Sequence, residues 1–108
     1  MSMTISGAQK LSRITFEEIN RKIAVARGKE WNPFVIVADI LEEAGEVAST
    51  VKGLEGYKPP EKVKTKEMLA AELSDLLYGL FLLAEHYKIN LEEAFIQTIE
   101  DYKRRFLK

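Results

Sequence analysis

The stretch Val37–Val51, VADILEEAGEVASTV, answered by Leu69–Phe81, LAAELSDLLYGLF, decides how the chain is read. Each sets carboxylates three residues apart inside an otherwise apolar run, Glu43 with Glu46 and Glu72 with Asp75. Positions i and i+3 of a helix share a face, with Cβ atoms about 5–6 Å apart, so each pair can act as a two-toothed oxygen ligand. Packed face to face, two such helices would gather four carboxylates.

The missing counter-charge makes this more than a polar stripe. Between Pro33 and Val51 stand Asp39, Glu42, Glu43 and Glu46 with no Lys, Arg or His, and between Met68 and Ala84 stand Glu72 and Asp75, again unopposed. Yet the whole chain is nearly neutral, with Lys+Arg 16 against Asp+Glu 17. A solvated helix face usually intersperses signs, because Glu followed four residues later by Lys stabilises the helix. Like charge clustered among Val, Ile, Leu and Ala costs desolvation and repulsion unless a proton or a cation relieves it. Oxygen-only ligands select a hard divalent ion, Mg²⁺ first and Mn²⁺ next. The bland alternative is that the acids face water while aliphatic side chains fill the core.

Working outward, Asn32-Pro33 supplies an N-cap and a first-turn proline for the acidic helix, and Gly53 and Gly56 end it. Its remaining circumference is apolar, so burial on more than one side is expected. The segment 52–66 holds Gly53, Gly56, Pro59-Pro60 and five lysines, Lys52, Lys58, Lys62, Lys64 and Lys66. It reads as a loop with solvated lysines, or as one able to swing over phosphates. Thr65 opens the second acidic helix, expected to run to about Tyr87 and apolar nearly all round. Upstream, Thr15 with Glu18 has capping-box spacing and predicts a helix over about Phe16–Arg27, with residues 1–13 left as a loosely specified arm. Downstream, Asn90 with Glu93 repeats that spacing and opens a helix that closes on KRRFLK, favourable at its own negative end. The expected architecture is an all-α, four-helix bundle-like single domain over 1–108, with two central helices whose apolar surface meets another copy.

At 108 residues the chain suits one core. Without cysteine it offers neither a disulfide framework nor a thiolate metal site, and no uncharged apolar run approaches the ~18 residues a membrane span needs. These features suit a cytoplasmic protein. A net charge of −1 argues against binding a nucleic acid polymer through general attraction.

Two carboxylate pairs can hold one or two Mg²⁺ while leaving places for phosphate oxygens, and a remaining carboxylate can take a proton from water. Phosphoanhydride hydrolysis fits these parts better than acyl chemistry, which needs a nucleophile and base the chain does not assemble. The sole histidine, His86, is not preceded three residues earlier by Glu, so the Glu-x-x-His pattern of di-iron bundles is absent. No Walker glycine loop is present.

Glu42-Glu43-Ala44-Gly45-Glu46, followed after 25 intervening residues by Glu72-Leu73-Ser74-Asp75, resembles the E-E-x-x-E and E-x-x-D signature of the MazG-like, all-α nucleoside triphosphate pyrophosphohydrolases. The likeness runs on through Asp75-Leu76-Leu77-Tyr78 and a last helix opening Ile89-Asn90-Leu91-Glu92-Glu93-Ala94, covering Pro33 to Phe106. It implies Mg²⁺-dependent cleavage of a nucleoside triphosphate between the α and β phosphorus atoms, giving monophosphate and pyrophosphate, in a homodimer or dimer of dimers. Carried over, Glu43, Glu46, Glu72 and Asp75 become metal ligands, and one of the glutamates, or Glu42, becomes the base. Trp31 would stack on a base as aromatic residues do in relatives, although packing is the commoner use of a Trp at a helix entry. The chain departs from relatives at Thr98 and Tyr102, where several offer Lys and Asn to the nucleotide. It departs again at Gly79, where some place an aromatic; Lys103, Arg104 or Arg105 are substitute phosphate contacts. The scaffold also resembles phosphoribosyl-ATP pyrophosphohydrolase, and a helical interaction module without turnover is the non-enzymatic alternative.

Overall fold

The structure, a computed structural model, describes residues 2–27, 32–57, 59 and 64–107, without the side chains of 23–27. Within them lie four helices and no strand: α1 (Ile5–Arg27), α2 (Pro33–Leu54), α3 (Lys66–His86) and α4 (Leu91–Phe106). The all-α expectation holds. By contacts the chain forms two compact units, residues 32–80 and residues 1–31 with 81–108, so that α3 belongs to the first up to Leu80 and to the second from Phe81.

In the first unit, Asn32 caps α2: its Oδ1 accepts from the backbone N–H of Phe34 at 3.0 Å and Val35 at 3.3 Å, and Pro33 takes the first helical position. The far end closes as a Schellman motif, with Tyr57 N–H to Lys52 O at 2.8 Å, Gly56 N–H to Gly53 O at 3.3 Å, and Gly56 at φ 81°. The stop therefore comes from Gly56, and Gly53 lies inside the helix. Thr65 begins α3 by accepting from Met68 N–H at 3.2 Å.

α2 runs antiparallel to α3. Thr50 hydrogen-bonds Glu72, and Ile40 lies so close to Gly79 that a Cβ there would stand 2.9 Å from Ile40 Cγ1. The buried or half-buried positions of α2 are spaced by three and four, through Ile36, Ile40, Glu43, Val47, Thr50 and Leu54; Leu69, Glu72, Leu76 and Gly79 follow the same rhythm on α3. This is the stripe that two packed helices share. A second apolar stripe, with Phe34 85% and Leu41 67% exposed and Val37, Val51, Leu73 and Leu77 also open, has no cover among the described residues. The expected burial of α2 on more than one side is thus not seen among the described residues.

In the second unit the N-terminal arm is corrected. Residues 5–13 are the first turns of α1, because Thr4 is a working N-cap: its Oγ1 accepts from Gly7 N–H at 2.9 Å and its carbonyl from Ala8 N–H at 2.9 Å. Thr15 and Glu18, which resemble a capping box, lie mid-helix. α1 then packs against α4 and the end of α3 through a buried amide. Gln9, 5% exposed, donates from Nε2 to Glu85 Oε2 at 2.7 Å and Ile89 O at 2.6 Å, and accepts at Oε1 from Leu91 N–H at 3.2 Å. Arg13 Nε completes the group with a 2.8 Å ion pair to Glu85 Oε1. Phe81, Leu82 and Ala84 supply the apolar core beneath. Asn90 caps α4 by accepting from Glu93 N–H at 3.1 Å.

Candidate functional site

The acids are distributed across the α2–α3 seam by helix geometry. Glu43 and Glu72 occupy seam positions and are half-buried, while Glu46 and Asp75, three residues further on, flank the seam and are exposed. The contacts at Ile40–Gly79 and Thr50–Glu72 lie on either side of this zone, so the four acids share one stretch of helix contact. Glu42 and Asp39 stand on the exposed side of α2.

The electrostatics follow. Loss of solvent around its carboxyl, and then the negative charges of Asp75, Glu46, Glu72 and Glu42, hold Glu43 above its ordinary value. Among the described residues no cation contributes to that shift. A raised acid disfavours the fold when ionised: the penalty is absent below the ordinary glutamate value, grows as pH rises through it, and is complete above the raised value. Glu43→Gln is therefore expected to raise the Tm of metal-free protein at neutral pH, with the gain shrinking in acid. Melts in EDTA from about pH 4 to about pH 8 check the sign, and an equal gain across that range would point to packing in place of charge.

An ion implied by this set must be oxygen-bound. Among the described residues no group of three or more His, Cys, Asp or Glu side chains stands close enough, as placed, to hold one. The donor chemistry nevertheless fits a hard cation, since the mutual field is wholly negative at Glu43 and Glu46 and Asp75 have free reach at the surface.

The other sequence-derived residues fall outside the described ones or belong to the second unit. Trp31 lies outside the described residues, as do Lys58 and Lys62 of the connector. Lys103 and Arg105 sit in the last turn of α4, in the second unit, where Lys103 Nζ lies 3.8 Å from Glu100 and the Arg105 guanidinium lies 5.1 Å from the Phe106 ring centre. Arg104 pairs with Asp101. Thr98 Oγ1 donates to its own helix at Ala94 O, and Tyr102 is exposed. His86 ends α3 with its ring edge-on to Tyr87. The second unit also holds an open cleft of about 320 Å³ whose lining includes Lys10, Arg13 and Lys88, and it contains none of the acids above. Sequence reasoning missed Thr50, the one side chain described as fully buried, because a threonine inside an apolar run gives no signal of its own.

Comparison with known proteins bears on the family. The model of the MazG nucleotide pyrophosphohydrolase domain matches residues 32–106, which takes in all four acids of the seam and leaves the whole of α1 outside. The uncharacterised protein YpjD of Bacillus subtilis (strain 168) is 30% identical over 88 residues, covering 82% of this chain and 79% of that protein. The uncharacterised protein YvdC of the same organism is 32% identical over 83 residues, covering 71% and 78%. No solved structure matches. No helix among the described residues is long and apolar enough to cross a membrane. With the matched segment spanning the acid-bearing pair of antiparallel helices and the fold all-α, the chain belongs to the MazG nucleotide pyrophosphohydrolase family.

Proposed function

We propose that this chain is a Mg²⁺-dependent pyrophosphohydrolase that cleaves a ribo- or deoxyribonucleoside triphosphate between its α and β phosphates. The observation that carries the reading is the paired contact, Ile40 on Gly79 and Thr50 on Glu72, that sets Glu43 and Glu46 across from Glu72 and Asp75. Glu43, Glu46, Glu72 and Asp75 would hold the ion, with Mn²⁺ as a substitute. When bound, the ion supplies charge neutralisation and polarisation of the phosphate. Glu42, exposed beside the ligands, or a glutamate not engaged by the ion, accepts the proton of the attacking water.

A second copy of the chain completes the assembly in this reading. The exposed apolar residues Phe34, Val37 and Leu41 on α2, with Leu73 and Leu77 on α3, support this assembly, since clustered apolar side chains at helical spacing suit a helix-on-helix contact. A homodimer or dimer of dimers covers them, and a monomer mass by light scattering at micromolar concentration would exclude both.

Incubation with a panel of nucleoside triphosphates, phosphoribosyl-ATP included, and Mg²⁺, with products resolved by ion exchange, tests the activity. Monophosphate plus pyrophosphate from nucleoside triphosphates is expected. Turnover confined to phosphoribosyl-ATP, release of orthophosphate, or no turnover at all would each overturn the assignment.

A further inference from the structure

Thr50 is fully buried in the first unit, and its hydroxyl donates across the helix seam to Glu72 Oε1. A threonine within a helix ordinarily turns its hydroxyl back to the carbonyl four residues earlier. Here the hydroxyl instead spans from α2 to α3 and ends on a carboxylate. Valine has the same shape and would fill the site without a polar group, so packing alone does not require oxygen at this position.

We propose that Thr50 is a positioning residue for Glu72: it ties one carboxylate oxygen down and presents the other to the cation. The inference rests on the reading of Glu72 as a ligand. Three features make the tie effective. Threonine is β-branched, so few χ1 rotamers are open to it, and full burial removes the remainder. Glu72 has a long, rotamer-rich side chain that would otherwise lose that freedom when the ion binds. Finally, Thr50 lies seven residues after Glu43, two helical turns along the same face, so the anchor stands on the same stripe as the opposing acid. Carboxylates that ligate metals are commonly held in this way by a hydrogen-bond partner, whose loss costs about 10–100-fold in metal affinity or activity.

The experiment measures Mn²⁺ binding to the full chain by electron paramagnetic resonance, alongside thermal melts, for wild type, Thr50→Val, Thr50→Ser, Thr50→Ala and Glu72→Gln. Thr50→Val is expected to stay folded and to bind Mn²⁺ about tenfold or more weakly, whereas Thr50→Ser stays near wild type. Thr50→Ser and Thr50→Ala differ only by the hydroxyl, so tighter binding by Ser than by Ala gives the same answer should the valine variant fail to fold. Wild-type Mn²⁺ affinity in both Thr50→Val and Thr50→Ala, with Glu72→Gln weakened, would overturn the role of Thr50 alone. Undiminished binding in Glu72→Gln, or none in wild type, would overturn the ligand reading and this inference with it.

Discussion

Glu46→Gln and Asp75→Asn are each expected to lower Mg²⁺-dependent pyrophosphate release by at least about a hundredfold, a loss no smaller than that from removing a ligand's supporting partner. Both substitutions keep shape and remove one charge. Both positions are exposed beside the seam, so neither replacement opens a cavity. Each also lifts one of the negative charges acting on Glu43, so the melting temperature of metal-free protein should stay the same or rise. Circular dichroism melts in EDTA and a coupled pyrophosphate assay separate the two readouts. Full turnover in either variant would exclude that residue as a ligand, and unfolding of both without metal would show that the acids hold the helices together.

The second large effect lies in the other unit and concerns stability. Gln9→Met keeps length and apolar bulk but leaves Glu85 Oε2, Ile89 O and Leu91 N–H without the partner they now share. Stranding buried polar groups costs about 1–3 kcal/mol each, offset in part by water, so a loss of about 2–4 kcal/mol is expected. For a domain near 100 residues each kcal/mol corresponds to about 4–8 °C in Tm. Gln9→Glu should be worse at neutral pH, because it sets a second carboxylate against Glu85 where an amide now donates. Urea titration provides the measurement. A loss under about 0.5 kcal/mol in Gln9→Met would mean that the amide is replaceable by solvent and that apolar packing holds α1 in place.

These effects mark where the sequence was legible. α2, α3 and α4 announce themselves through caps that work as written, Asn32, Thr65 and Asn90, and through apolar residues at helical spacing. The acid pairs were equally plain as unopposed charge in an apolar run, and Glu43 with Glu72 falls on the helix seam that the spacing implied. α1 hid its first two turns because its buried positions are Gln9 and Ser12, so a search for apolar periodicity sees no inward face there. Thr4 was the missing signal; Thr15-x-x-Glu18 imitated a start more persuasively than Thr4 announced one. Thr50 escaped for a related reason: its partner is 22 residues away, on another helix, and nothing local distinguishes it from filler. What remained illegible in each case is polar burial satisfied at long range.

The near-contact of Gly79 with Ile40 restricts how this scaffold can diverge. The two positions draw on a single volume: a branched residue at 40 is tolerated because 79 offers none, and a bulky residue at 79 would wedge the helices apart unless 40 shrinks in exchange. Replacing either alone should cost more than replacing both in opposite senses, the signature of coupled neighbours. An aromatic side chain at 79 would therefore need room made at Ile40. Any new contact built on this face has to come from side chains that do not compete for that space.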